Sequence, residues 1–272
     1  MTLQALEIGA VDFVSKPVTD LAHQLESYGD ELIAKIKAAA SARVQTYNNR
    51  PASSLTVEEK HNADVILNKS GQQHFTTTES IVAIGASTGG TEAIKEVLSR
   101  LPATTPGIVI TQHIPGSFST AFAARLDSES AMNVCEARDG QQILPGHAYV
   151  APGDQHLLVV GNGARYHCKL SNGPPVNRHR PSVDVLFRSV TQCAGPNALG
   201  IILTGMGDDG ARGMKELQES GATTIAQDEI TSVVWGMPGS AVKLEAADII
   251  LPLHDIADEI LNLTRHERRF GT

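Results

Sequence analysis

The stretch IVAIGASTGGTEAI, residues 81–94, decides the fold of the larger part of this chain. Its first six residues are apolar or small and predict a buried strand. Its last residue begins a series of apolar side chains at the spacing of one buried helix face, namely Ile94, Val97, Leu98 and Leu101. Between strand and helix lies a glycine-rich turn that carries Ser87 and Thr88. A short apolar strand, a turn and a helix are the repeating unit of a parallel α/β sheet.

The same alternation continues to about residue 268. Further strand-like runs are GIVITQH, HAYVAP, LLVV, RYHCKL, LGIILTG, TTIAQD and DIILPL. A second helix face follows Pro181, with Val183, Leu186, Phe187 and Val190. The stretch 147–170 holds three strands with Gly-Asn-Gly between the last two, which is typical of a hairpin. The predicted fold is therefore α/β, with a mostly parallel sheet flanked by helices on both faces and an inserted antiparallel β-hairpin.

Composition excludes several classes of function. The formal net charge of -8 argues against a protein that binds nucleic-acid phosphates through a basic face. The three cysteines stand far apart without CxxC spacing, which favours a reducing compartment. The first residues do not resemble a signal peptide, and no apolar run approaches the roughly 20 residues that cross a bilayer. We expect a soluble cytoplasmic protein without membrane insertion.

Before residue 80 the chain has a different composition. Residues 1–40 predict a short strand, AVDFVS, followed by a helix. Residues 41–79 are rich in Asn, Ser, Thr and Gln and have almost no apolar periodicity. Such a composition cannot bury enough apolar surface to become ordered, so we expect a polar linker at 41–79. The α/β domain then occupies residues 80–268.

The glycine-rich turn could bind a phosphate, but its details disfavour that function. A P-loop requires Lys and then Ser or Thr after its last glycine, whereas Gly90 is followed by Thr91 and Glu92. A dinucleotide site requires an acidic residue at the end of the next strand, and that strand ends in Gln112-His113.

A nucleophilic serine explains the same residues better. Ligands and chemistry in an open parallel sheet lie at the carboxyl ends of the strands. Ser87 ends the first strand and His113 the next one, where a histidine could take the serine proton. Asp208 and Asp209 end a third strand and could orient and stabilise the imidazole.

Each of these groups also has a structural alternative. Ser87 could cap the helix that follows it, and His113 could simply bond to backbone at a strand end. Asp208 or Asp209 could be the N-cap of a helix that starts at Ala211. The hydrolase interpretation is favoured because complementary groups end three strands, each in a loop that contains glycine or proline.

Five motifs in order resemble one family. GASTGGTEAI, TQHIPGSFSTAFAARLD, GHAYVAPGDQH, GPPVNRHRPSVDVLF and GIILTGMGDDGARGM are similar to the catalytic domain of the chemotaxis protein-glutamate methylesterases, the CheB family. The resemblance covers about residues 80–265. It implies a serine hydrolase that demethylates glutamate methyl esters on chemoreceptors in bacterial chemotaxis and deamidates some of their glutamines. It implies no metal and no organic cofactor.

The resemblance also assigns roles to individual residues. The family's nucleophile falls on Ser87, its general base on His113 and its acid on Asp209, which directly precedes the last glycine of the GMGDDG loop. Asp208 fills a variable position and ranks second. The N–H groups of Thr88 and Met206 are the expected oxyanion donors.

The N-terminal residues resemble a different domain. ALEIGAVDFVSKP is similar to the last part of a response-regulator receiver, and Lys16 matches the phosphate-site lysine of such domains. Residues 1–40 are therefore interpreted as the C-terminal remnant of a receiver that lacks the phosphoacceptor strand. In full-length relatives the receiver implies the chemotaxis histidine kinase as a partner.

Substrate binding is the least determined part of the site. The resemblance implies the methylated cytoplasmic helices of chemoreceptors as partners. Arg178 and Arg180 form the densest basic patch of the α/β domain and could attract such acidic helices, or they could be solvated residues before a helix. A regulatory module without activity is the alternative from another functional class, and a serine-reactive probe distinguishes the two.

Overall fold

The computed structural model describes residues 32–33, 35–37, 39–40, 61–69, 79–163 and 165–270, the last six without their side chains. The described residues between 32 and 40 are helical, as predicted for this region. The predicted strand AVDFVS and Lys16 lie outside the described residues.

Seven parallel strands form the central sheet. They are β1 (Ile81–Ala86), β2 (Gly107–Gln112), β3 (Asn133–Glu136), β4 (His147–Val150), β7 (Ala198–Ile202), β8 (Thr223–Gln227) and β9 (Ile249–Leu251). Their order across the sheet is β3-β4-β2-β1-β7-β8-β9, and every pairing is parallel. The strand β1 is central, so the chain runs to one side of it first and later to the other. Such a switch point opens a crevice at the carboxyl ends of the strands.

Helices cover both faces of this sheet, as predicted. They are α1 (Gly90–Ser99), α2 (Gly116–Ser128), α3 (Val183–Cys193), α4 (Ala211–Glu219), α5 (Met237–Lys243) and α6 (Leu253–Phe270). One buried cluster joins the sheet to α1, α2 and α6, and a second joins its other face to α3, α4 and α5. The predicted apolar faces are buried: Ile94, Val97, Leu98 and Leu101 lie in the first cluster, and Val183, Leu186, Phe187 and Val190 in the second.

The predicted hairpin is present as β5 (His156–Asn162) and β6 (Arg165–Ser171), which pair antiparallel in a separate two-stranded sheet. Leu157, Val159 and Tyr166 bury its inner side in the cluster that contains α3. The hairpin therefore packs against α3 within the buried cluster that also joins α3 to the central sheet.

Part of the predicted linker is ordered against the α/β domain. A short 3-10 helix, Ala63–Val65, begins after Asn62, whose side chain accepts a hydrogen bond from the Asp64 N–H. Ala63 is buried in a small cluster with Leu158, Val176 and Val185. The buried Arg188 of α3 bonds both to Asp64 and to the Leu67 carbonyl. Within the predicted linker, residues 61–69 therefore contact the α/β domain through a few apolar side chains and one ion pair.

No helix in the described part of the chain is long and apolar enough to span a membrane.

Candidate active site

The predicted site residues meet at the carboxyl edge of the central sheet. Ser87 directly follows β1, and His113 directly follows the neighbouring strand β2. Asp209 lies in the loop after β7, which borders β1 on its other side. The His113 N–H donates to the Ala86 carbonyl (3.1 Å) and the Ser87 N–H donates to the Thr204 carbonyl (3.0 Å). These backbone bonds extend the sheet beyond its last pairs and hold the three loops together.

Neighbouring loops closely approach the turn that carries Ser87. The N-cap of α1 is Gly89, with φ 78, and no side chain caps the helix, so the capping alternative for Ser87 is not what the structure shows. A Cβ at Gly89 would lie 2.8 Å from Val233, and a Cβ at Gly205 would lie 2.8 Å from the Cβ of Ser87. Glycine at these positions therefore lets the loop after β8 approach the turn at Gly89 and the loop after β7 approach Ser87.

Gln112 ties the serine to the histidine through their backbones. Its buried side-chain amide donates to the carbonyls of Ser87 (2.9 Å) and His113 (3.2 Å). One side chain thus fixes the separation of the two loops that carry the expected nucleophile and base.

His113 is oriented by a carboxylate. Its Nε2 lies 2.8 Å from Oδ2 of Asp209, and its side chain is only 8% exposed. An ionised carboxylate only accepts hydrogen bonds, so Nε2 carries the proton and Nδ1 keeps its lone pair. Within the described residues Nδ1 is buried and has no hydrogen-bond partner. This nitrogen is the one available to accept a proton.

Asp209 is the carboxylate that the structure places against His113, whereas Asp208 lies half-buried next to it. Besides His113, four groups donate to the carboxylate of Asp209: the Ser182 hydroxyl (2.8 Å), the Asn177 amide (2.8 Å) and the N–H groups of Val183 (2.7 Å) and Asp184 (3.3 Å). Burial alone would raise the pKa of Asp209, but the hydrogen bond with His113, the charges that His113 and His179 carry when protonated, and the hydrogen bond with Asn177 hold this pKa well below its usual value. The carboxylate is therefore ionised while fully buried.

The helix-capping alternative for the aspartates is wrong in its detail. The N-cap of α4 is Gly210, without a side-chain cap. Asp209 instead accepts from the first N–H groups of α3, while Asp184 of α3 accepts from the Gly213 N–H in the first turn of α4 (2.7 Å). Each helix is thus capped by a carboxylate from the other segment. Burial and the charge of Asp209 raise the pKa of Asp184 to about 7.

The buried His156 holds the loop before α3 through two hydrogen bonds. His156 donates from Nε2 to the Pro174 carbonyl (3.0 Å) and accepts at Nδ1 from the Ser182 N–H (3.2 Å). Because Nδ1 accepts, the ring must be neutral. Burial lowers the pKa of His156 below its usual 6.5.

This arrangement predicts a loss of stability in acid. The unfolded chain takes up a proton at residue 156 that the folded chain excludes. The stabilising contribution of neutral His156 to the free energy of unfolding is complete above a pH of about 6.5. It is lost as the pH falls through the lower folded-state pKa, at up to about 1.4 kcal/mol per pH unit. The free energy of unfolding can be measured by urea denaturation at about pH 7.5 and at about pH 5.5. From the higher to the lower pH, it should decrease less for His156→Gln than for wild type. Equal decreases would contradict the account of His156.

The expected oxyanion donors border the same crevice. Thr88 is buried, and its carbonyl accepts from the Thr204 hydroxyl (3.0 Å), which also bonds to Val234. The N–H of Met206 donates to no described residue. Both residues lie at the turns that carry Ser87 and Asp209, so the structure brings them to the site without assigning them a role.

The basic patch divides into two different residues. The guanidinium of Arg180 donates to the carbonyls of Asn172 (3.3 Å) and Gly173 (3.1 Å), so it holds the loop before α3. Arg178 is exposed and has a left-handed backbone with φ 70. Arg178 is thus the more exposed of the two charges, and Arg180 is half-exposed.

Several residues of this site were not predicted. Asn177, His179, Ser182 and Asp184 belong to a motif that the sequence offered only as a basic patch and a helix start. Their density of polar side chains before a buried helix was the available signal. Their contacts with Asp209 and His113 depend on how the loop before α3 packs against the loops after β7 and β2.

A serine, a histidine with one free nitrogen and a buried carboxylate at the switch point of a parallel sheet are typical of a serine hydrolase. Residues 82–260 match the model of the CheB methylesterase family. The chain belongs to this family.

Individual proteins similar to this chain carry names of the same family. A protein-glutamate methylesterase/protein-glutamine glutaminase 1 of Xanthomonas euvesicatoria pv. vesicatoria is 55% identical over 267 residues, which cover 98% of this chain and 74% of that protein. A protein-glutamate methylesterase/protein-glutamine glutaminase of Hydrogenovibrio crunogenus is 54% identical over 284 residues, which cover 97% of this chain and 76% of that protein. The crystal structure of the Thermotoga maritima CheB methylesterase catalytic domain superposes with a TM-score of 0.67 at 38% identity, covering 68% of this chain and 98% of that one.

Proposed function

We propose that this chain is a protein-glutamate methylesterase that also deamidates glutamines, with Ser87 as nucleophile, His113 as general base and Asp209 as the acid that orients it. The names of its relatives supply the reaction, and the 2.8 Å contact between His113 and Asp209 is the single observation that carries the assignment of residues. The catalytic domain spans 80–268 in this proposal.

The geometry supports a two-step acyl transfer. Nδ1 of His113 takes the proton of the Ser87 hydroxyl, and the oxygen attacks the carbonyl carbon of the ester. The imidazolium that forms is stabilised by the buried, ionised Asp209. His113 then gives its proton to the departing methoxide, and methanol leaves a glutamyl ester on Ser87. Water, deprotonated by His113, hydrolyses this ester and releases glutamate.

The oxyanion of each tetrahedral intermediate needs donors that are already in place. We assign this role to the N–H groups of Thr88 and Met206, at the turns after β1 and β7. Removing one such donor typically lowers the rate about 10²–10³-fold. A primary amide reacts by the same steps, since protonation by His113 lets ammonia leave instead of methanol.

The substrate follows from the family. We assign as substrates the methylated cytoplasmic helices of chemoreceptors and place the enzyme in the cytoplasm, with the exposed Arg178 attracting acidic receptor helices. The half-exposed Arg180 adds a second positive charge, although its guanidinium also donates to backbone carbonyls. We also assign the chemotaxis histidine kinase as a partner of relatives that carry a complete receiver.

The test is release of methanol from receptor membranes that carry radiolabelled glutamate methyl esters. We expect the full chain to release methanol from methylated receptors and ammonia from receptors with the corresponding glutamines. Failure to release either product, by a protein that is folded by circular dichroism, would contradict the proposed function.

A further inference from the structure

A single tight turn before α3 touches both the base and the acid of the proposed triad. In the turn Val176–His179, the N–H of Val176 donates to the His179 carbonyl (3.0 Å) and the N–H of His179 donates to the Val176 carbonyl (2.8 Å). The two central residues, Asn177 and Arg178, have φ 50 and φ 70. Two successive left-handed residues closed by such a bonded pair define a type I′ turn.

The backbone of this turn is locally costly. Asparagine tolerates the left-handed region, but glycine is preferred at the second central position, where this chain has Arg178. A larger residue in that conformation persists only where the surroundings hold it, and such positions are concentrated at functional sites. The structure supplies those surroundings through the side chains on either side of Arg178.

Asn177 attaches one side of the turn to the acid. Its buried side-chain amide donates to Oδ1 of Asp209 (2.8 Å) and to Oδ2 of Asp184 (2.6 Å), and its N–H donates to the His61 carbonyl (2.9 Å). The position of the turn is therefore fixed relative to Asp209.

His179 attaches the other side of the turn to the base. Its ring is stacked on that of His113, with 3.8 Å between ring centroids and 13° between planes. Asp209 holds His113 at one atom, Nε2, which leaves the imidazole free to tilt about that hydrogen bond. A flat ring lying parallel on the imidazole removes that freedom.

We propose that His179 is a positioning residue, which acts through His113 by holding the imidazole in the plane that keeps Nδ1 available to Ser87. The proposal rests on the proposed function, because it requires His113 to be the base. Without the stacked ring, His113 spends less time in the reactive orientation. Loss of orientation lowers kcat and leaves substrate binding, and hence KM, nearly unchanged.

The experiment compares three substitutions at one position. His179→Ala removes the ring, His179→Leu replaces it with an apolar group that is not flat, and His179→Phe restores a flat ring that cannot carry a proton. His147→Ala is the matched control, because His147 also stacks on an aromatic residue, Tyr149. His147 is the first residue of β4 and so lies at the amino ends of the strands, away from the site. Circular dichroism and Tm establish that each variant is folded.

Two readouts separate this proposal from the proposed function. The rate of labelling of Ser87 by a fluorophosphonate reports activation by His113 without any natural substrate, and methanol release from methylated receptors reports the function. We expect Ala and Leu to lower the labelling rate and kcat on the order of 10- to 100-fold with KM little changed, and Phe and the control to stay near wild type.

The outcomes are distinct. Wild-type labelling by His179→Ala, or a His179→Phe protein as slow as His179→Ala, would overturn the role of the stacked ring. In another outcome, wild type is labelled normally, His179→Ala and His179→Leu are labelled more slowly, and wild type releases no methanol. That result would support the positioning role and reject the proposed substrate.

Discussion

The substitution Ser87→Ala should lower kcat for methanol release by a factor on the order of 10⁶, which is what removal of the nucleophile costs in serine hydrolases. The covalent path then disappears, and only substrate binding and the oxyanion donors act on a water molecule. The measurement is methanol release from methylated receptor membranes at saturating substrate. Ser99→Ala, an exposed serine at the end of α1, is the matched control and should have wild-type activity.

The structural reason for this large effect is the placement of Ser87. It follows β1 in a turn without a side-chain cap, and the neighbouring strand ends at a histidine whose Nδ1 has no hydrogen-bond partner among the described residues. A Ser87→Ala protein with activity close to that of wild type would show that another group is the nucleophile.

The second large effect concerns the acid. Asp209→Asn should lower kcat by a factor on the order of 10⁴, because an amide nitrogen in place of Oδ2 can donate to Nε2 of His113 and so leave the proton on Nδ1. His113 would then lack the lone pair that accepts the serine proton. The same amide nitrogen faces the Val183 N–H, so circular dichroism and Tm are measured to establish that the variant is folded. Combining the change with Ser87→Ala should cost little more than Ser87→Ala alone, since the groups act as a unit.

Asp208→Asn is the control that separates the two neighbouring carboxylates. Asp208 is half-buried, and the 2.8 Å contact with His113 belongs to Asp209. We expect nearly wild-type kcat for Asp208→Asn. The reverse pattern, with Asp209→Asn active and Asp208→Asn inactive, would mean that the acid is assigned to the wrong residue.

The sequence predicted those features that depend on local pattern and on the geometry of parallel sheets. Buried strands such as β1 and β2 are continuous apolar runs, and residues after adjacent parallel strands must meet at one edge. That reasoning brought Ser87 and His113 together. It left Asp208 and Asp209 as alternatives, and only the family resemblance ranked them.

Features that depend on tertiary contacts could not be predicted in this way. The strand β3 was missed because it is a short strand at the edge of the sheet in which only Val134 is buried. Residues 61–69 look like linker because their order comes from Arg188, more than 100 positions further along the chain. The stacking of His179 on His113 depends on how the loop before α3 packs against the end of β2, which no local periodicity encodes.

The most direct test of the central claim combines labelling and activity in one experiment. The full chain is treated with limiting amounts of a fluorophosphonate, the labelled residue is identified by peptide mass spectrometry, and methanol release is measured on the same samples. We predict that the label is found on Ser87 and that the activity lost equals the fraction of Ser87 labelled. A protein fully labelled at Ser87 that still releases methanol would contradict the claim that this serine performs the demethylation.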